Sequence, residues 1–179
     1  QFHDTTPSRA VRIGRHALAI DEHRDEFVPT LWTGACPPGC DIRQVWFAGA
    51  HSDVGGGYPE RRLADIPLRW MADEAIAAGL ELDEATLPQA AGLDPLASQH
   101  ESRINWSRKD RLTPTIRQVA GQPVPVTLLE RLYQPLDADG NPLPTIGEAL
   151  HPSVRTRFNA QVEMLYDTAS ETIAYRPKN

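Results

Sequence analysis

The sequence predicts an α/β fold, a mostly parallel sheet flanked by helices and joined by long proline-rich loops. Three observations carry that expectation. Two short apolar runs, HALAID (16–21) and QVWFAGA (44–50), do not alternate polar with apolar residues. A strand with one wet face alternates, whereas a strand covered on both faces reads as a continuous apolar stretch, as in parallel sheets under helices. The second run passes through a glycine-rich turn into a helical pattern, and strand, turn, helix is the order of a layered α/β unit. Sixteen prolines, concentrated in the second half, make long stretches there loop or irregular connection.

Each element follows in order. Between the two runs lies a crossover of mixed polarity, in which Phe27, Leu31 and Trp32 are the residues available to pack. After the glycines, Asp65 is suited to cap a helix, Pro67 falls in its first turn, and Gly79 is placed to end it. Leu68, Met71, Ala72, Ala75 and Ile76 form one stripe at helical spacing, with Met71 and Trp70 as core or near-core residues. From Leu82 to Leu150 the periodicity loosens. There, DADGN (137–141) has the acidity of a calcium loop without its ligand ladder or closing Glu, and reads as a turn. A last helix is expected from Val154, Phe158, Val162 and Leu165, with Pro152 in its first position. The residue before a proline is kept extended, so His151 should stand at the N-cap or just before it, with its imidazole projecting away from the helix.

The totals narrow the functions. A chain of 179 residues holds one domain with a sizeable core. Its net charge of -6 argues against a nucleic-acid partner and against a basic membrane-surface patch. No apolar run approaches a membrane span, and no secretory signal opens the chain, so it should be soluble, with any export by a signal-independent route. It starts at Gln1 without an initiator Met, which suggests a processed chain or a fragment. Cys36 and Cys40 flank PPG in a loop, with no second pair at metal spacing, and read as two loop cysteines.

The chemistry-bearing stretch is VWFAGAHSDVGGGY (45–58). His51 and Asp53 stand at the C-terminal end of the second apolar run, the edge where open α/β sheets collect ligands and catalytic groups. Gly55, Gly56 and Gly57 clear side chains from that edge. The plain structural alternative is an Asp capping a turn. The loop matches neither phosphate-binding glycine pattern, so a nucleotide site is not expected. His51 with Asp53 could begin a metal site, but no third ligand stands at a recognised spacing. What favours catalysis is order: an Asp after a late strand, then His151 before a late helix, is the Asp…His portion of the Ser…Asp…His order of α/β-hydrolases.

Together, HALAIDEHRDEF, VWFAGAHSDVGGGYPERRLADIPLRWMADEA, LHPSVRTRF and the ending AYRPKN resemble the α/β-hydrolase family called domain of unknown function 2235. That family includes type VI secretion lipase effectors of the first class. The resemblance implies the C-terminal portion of an α/β-hydrolase fold and a lipase- or phospholipase-type activity on lipid or ester substrates, with no cofactor. By matching position it assigns Asp53 as the triad acid and His151 as the triad base. His51, Ser52, Gly55, Gly56, Gly57 and Tyr58 correspond to the signature loop beside the site.

One part of the family pattern is absent. The Asp-Gly-Thr strand and the G-x-S-x-G elbow do not occur, and Ser8, Ser52, Ser98, Ser102, Ser107, Ser153 and Ser170 all lack an elbow's glycines. The expectation is a single partial domain over 1–179, whose nucleophile lies on an N-terminal half or a second polypeptide, and which does not turn over substrate alone. An immunity protein is a further partner implied by the resemblance. Two other readings stand beside it: a non-catalytic interaction module derived from the same fold, and a metal-dependent hydrolase built on His51 and Asp53.

Overall fold

A computed structural model describes residues 4–103 and 112–178; Ser107, His3 and the final Asn179 lie outside them. In chain order the elements are β1 (Ile13–Ala19), β2 (Asp41–Phe47), α1 (His51–Gly55), α2 (Asp65–Ala77), β3 (Gln99–His100), β4 (Thr115–Arg117), β5 (Arg131–Tyr133), β6 (Glu148–Leu150), α3 (Pro152–Arg157), β7 (Gln161–Leu165) and β8 (Ser170–Ala174). Among the described residues, three single-turn 3-10 helices punctuate the loops at Asp25–Phe27, Glu84–Thr86 and Ala90–Gly92.

The central sheet has the order β1-β2-β6, all parallel, with Ile13 opposite Asp41 and Trp46 opposite Leu150. Its middle strand is covered on both faces. On one side Trp46 packs with Leu18, Ile20, Leu31, Val154 and Val162. On the other, Phe47 and Val45 pack with Val54, Leu63 and Ile66, and Trp70 closes over Phe47. Burying each large apolar side chain stabilises the fold by about 1.5–3 kcal/mol. Double coverage is why the apolar runs do not alternate, and the parallel, helix-flanked arrangement is the one the sequence predicts.

Two further sheets lie among the described residues. β3 pairs with β7 in parallel, β7 with β8 antiparallel, and β4 with β5 in parallel. Buried Gln44 ties the layers: its amide oxygen accepts from Trp32 N, while its nitrogen donates to Trp32 O and Ile146 O. β6 can lie against β2 because residue 147 has no side chain. Gly147 O accepts from Gln44 N at 2.9 Å, and a Cβ at 147 would fall 2.1 Å from Ile42 O.

Three sequence expectations change. Asp65 is the first residue of α2 rather than its cap, which is Ala64. Gly79, at φ 97°, follows the helix end as expected. The buried face of α2 runs through Ile66, Pro67 and Ala72, while Leu68 is 45% exposed. Phe47 and Val54 set that face by where they stand, which the stripe count could not know. Most clearly, the late helix stops at Arg157: Asn159 turns left-handed at φ 64°, and Val162 and Leu165 belong to β7. Phe158 is 53% exposed. Apolar residues at 154, 158, 162 and 165 fit a helical period, but Val162 and Met164 alternate with exposed residues as a strand requires, and pairing with β8 decides between the readings.

Candidate functional site

The C-terminal edge of the β1-β2-β6 sheet gathers the ionisable residues. β2 ends at Phe47, Gly49 turns at φ 113°, and the single-turn helix α1 follows. A Cβ at Gly49 would sit 2.5 Å from Asp53 Cβ, so the missing side chain lets Asp53 fold back over the strand end. Asp53 occupies the third position of α1, and its Oδ2 accepts from Ala50 N at 3.0 Å, half of a capping box. The side chain is 1% exposed.

Asp53 has a second set of partners, 47 residues further on. His100 N donates to Oδ2 at 3.0 Å, and His100 Nδ1 lies 2.7 Å from Oδ1. A carboxylate oxygen only accepts, so this bond selects the Nδ1–H tautomer and leaves Nε2 with its lone pair. Tyr58, from the end of the glycine loop, stacks on the imidazole at 3.7 Å and 17°. Burial pushes the Tyr58 phenol up, and the nearby Asp53 charge adds to that.

His100 is delivered by β3, whose approach is pinned by α3. Buried Arg157 donates to Pro95 O and Ala97 O, both at 2.7 Å, and to Gln99 Oε1. Burial holds its guanidinium below its ordinary value. On the other flank, Gln99 and His100 pair with Met164 and Leu165 of β7. Nothing in the sequence singles out His100. It follows an irregular loop, and only the folded register brings it to Asp53.

His151 stands at the same sheet edge in a different state. Its N donates to Trp46 O at 2.9 Å, and its ring stacks on Phe47 at 4.6 Å. The backbone is extended, as the following proline requires, at φ -64° and ψ 143°. The imidazole, however, folds back onto the helix instead of projecting away: Nδ1 accepts from Ser153 N at 3.2 Å and meets Ser153 Oγ at 2.8 Å. A backbone N–H can only donate, so neutral His151 carries its proton on Nε2, the tautomer opposite to that of His100. Burial lowers its pKa. The structure therefore brings Asp53 to His100, and it brings His151 to Ser153.

The remaining signature-loop residues surround this pair. His51 is exposed, with its ring edge-on to Phe27 at 4.9 Å, and its N donates to Glu22 Oε2 at 3.1 Å. Burial pushes the Glu22 carboxyl up, but two hydrogen bonds and the charge of Arg24 outweigh it and leave the group below its usual range. Ser52 is half-buried beside Gly57. Gly55, Gly56 and Gly57 join Tyr58, Leu68 and Met71 around an apolar groove of about 650 Å³. On the other side, His100 lines a cavity of about 190 Å³ with Asp21, His23 and Tyr175. Among the described residues no three His, Cys, Asp or Glu side chains are gathered to hold a metal, so His51 and Asp53 gain no third ligand there. No helix among them is long and apolar enough to cross a membrane.

Comparison with known proteins gives one family and one relative. The family described as the type VI secretion phospholipase effector Tle1-like catalytic domain matches residues 1–74. That stretch holds β1, β2, α1 and Asp53, and it ends before both His100 and His151. An uncharacterized protein of Saccharomyces cerevisiae, YEL023C, is 44% identical over 46 residues, covering 23% of this chain and 7% of the yeast protein. No solved structure matches.

Proposed function

We propose that this chain is the acid- and base-bearing part of a lipid-ester hydrolase with an α/β-hydrolase fold, working as a phospholipase effector. The observation that carries the reading is the family match over 1–74, centred on a parallel sheet whose carboxyl edge holds a buried aspartate hydrogen-bonded to an imidazole. A hydrolase of this type needs an imidazole to take the proton from a serine, and a carboxylate to hold that imidazole in the productive tautomer. Asp53 is the acid; the resemblance points to His151 as the base. The groove beside Tyr58 suits an acyl chain, because Leu68, Met71 and glycine backbone line it and its two charged members, Arg61 and Asp65, pair with each other. The nucleophile comes from a G-x-S-x-G segment on another stretch of polypeptide.

The test mixes the purified chain with such a segment from the same family and measures fatty-acid release from phospholipid vesicles. Release that requires both parts and disappears with Asp53→Asn supports the reading. No release from the combination overturns it, and robust ester hydrolysis by the chain alone would show that the nucleophile is already present. The interaction-module reading draws on one feature: among the described residues β1 pairs on one side only. Tight binding to the serine-bearing segment without turnover would favour it.

A further inference from the structure

We infer that Cys36 and Cys40 are a redox pair, which closes to a disulfide in oxidising surroundings and staples the amino edge of the parallel sheet. The inference stands apart from the hydrolase reading, since it uses none of that site's residues. The backbone brings the two cysteines together. Cys40 N donates to Pro37 O at 3.0 Å, closing a turn through Pro38 and Gly39. The Cys36 thiol reaches across that turn and donates to Cys40 O at 3.2 Å. A sulfur that touches the carbonyl of residue 40 stands within one side chain's reach of the second sulfur. The two side chains also hydrogen-bond each other, which pushes the Cys40 thiol up to about 11. Both thiols are free and half-buried, so a small oxidant can reach them. Pro37 and Pro38 fix two backbone dihedrals in advance, so little further order is imposed when the sulfurs join.

The contacts on either side of the pair define what it holds. Cys40 leads directly into β2, where Asp41 N donates to Arg12 O at 2.8 Å and the Asp41 carboxylate takes Arg15 of β1 at 2.7 Å. The residues before Cys36 lie on the segment that feeds β6. Gly34 N donates to Pro144 O at 2.9 Å, Thr33 pairs antiparallel with Thr145, and Ile146 N donates to Trp32 O at 3.1 Å. The loop that carries both cysteines thus joins the amino ends of all three parallel strands. Asp53, His100 and His151 stand at the opposite, carboxyl edge.

The chemistry is thiol–disulfide exchange with a small external disulfide such as oxidised glutathione. Cys40 is held protonated, so the first attack falls to Cys36. Its thiolate breaks the external S–S bond, forms a mixed disulfide and expels one thiolate. The Cys40 sulfur then attacks the Cys36 sulfur, the mixed S–S bond breaks, and the second thiolate leaves. The two protons given up by the cysteines go to the two departing thiolates. Two thiols of the chain are oxidised to one disulfide, and the external disulfide is reduced to two thiols.

The test takes the intact chain through glutathione buffers and involves no turnover. With oxidised glutathione in excess, mass spectrometry should find the tryptic peptide 25–43, which holds both cysteines, lighter by two hydrogens and closed to iodoacetamide. Reduced glutathione in excess should reverse the change. Thermal unfolding should show a midpoint about 4–8 °C higher for the oxidised chain, because the closed loop restricts the unfolded state. Cys40→Ser should show no such rise and should keep glutathione on Cys36. A wild-type chain that stays reduced, retains glutathione on either cysteine, or links to a second copy would overturn the pair. A midpoint unchanged or lowered on oxidation would overturn the staple. Should the variant fail to fold, the wild-type mass and midpoint decide both points.

Discussion

Two buried aspartates flank the same turn, and their difference separates a carboxylate held by a phenol from one held by an imidazole. Gly49 N donates to Asp21 Oδ2 at 2.7 Å, and the very next amide, Ala50 N, donates to Asp53 Oδ2 at 3.0 Å. Both side chains lie at the carboxyl edge of the parallel sheet. Asp21 completes its shell with the Tyr175 hydroxyl at 2.8 Å, on a ring 2% exposed. Asp53 completes its shell with the imidazole and the backbone N–H of His100. Burial raises the Asp21 carboxyl above its ordinary range, while its donors and the neighbouring His23 and Arg157 pull it back. Burial alone does not tell the two carboxylates apart; the identity of the last donor does.

The sharpest way to break this comparison is Asp53→Asn in the serine-bearing assembly. Hydrolysis should fall by about 10⁴-fold, the scale seen when a triad acid loses its charge and the imidazole its tautomer. Vesicle fatty-acid release measures it, and a loss below tenfold would place Asp53 with the structural carboxylates. The matching change at the other aspartate, Asp21→Ala, should act on stability. It leaves Gly49 N–H and the Tyr175 hydroxyl buried without an acceptor, at about 1–3 kcal/mol for each. Urea denaturation should show a lower midpoint with an unchanged slope.

Gly49→Ala strikes both aspartates at once. At φ 113° its new methyl would meet Asp53 Cβ at 2.5 Å and Leu63 at 3.1 Å. A cost of about 1–3 kcal/mol is expected from the backbone conformation alone, read as a lower urea midpoint. Acid should weaken the fold more gently. Burial lowers His16, His23 and His151, although an Asp21 charge opposes it at His23 and a Gln44 hydrogen bond at His16. Each is neutral in the fold and protonates more readily unfolded. Their contribution is therefore full above about pH 6.5 and is lost as pH falls through their lowered folded values. The slope is at most about 1.4 kcal/mol per pH unit for each group. Asp21, raised in the fold, works the other way: its charge is penalised at higher pH and the penalty is relieved as it protonates. Denaturation midpoints between pH 7 and 5 should fall less steeply in His151→Gln. A His151→Gln variant whose midpoint falls as steeply as the wild type's would refute the burial of that imidazole. The smallest effect belongs to Ser153→Ala, which removes one contact to a capping histidine and should cost about 0.5–1.5 kcal/mol.

Much of the scaffold was legible in the sequence because it follows from one-dimensional rules. The unbroken apolar runs at 16–21 and 44–50 became β1 and β2 with both faces covered, and Gly79 ended α2 where a left-handed residue was needed. The place of Asp53 at the carboxyl edge of the sheet was legible too, since a strand end followed by glycines is a local pattern. His100 was not. Its meeting with Asp53 depends on β3 pairing with β7 and on Arg157 gripping 95–97, contacts that span some sixty residues and leave no spacing to read. The split of 154–165 into α3 and β7 failed for a related reason. A period that suits both a helix and a strand is resolved only by the partner, and β8 comes later in the chain.

The bare position at 147 has a use outside this molecule. Because a Cβ there would collide with the β2 backbone at Ile42, the residue works as a gauge of how closely β6 can approach. When new sequences are screened for this architecture, a glycine four places ahead of a His-Pro-Ser should be a better marker than the histidine itself. A side chain at that place would report that the last parallel strand has moved outward. The cap, the helix behind it and the arginine that steers His100 would then have to be sought elsewhere in that chain.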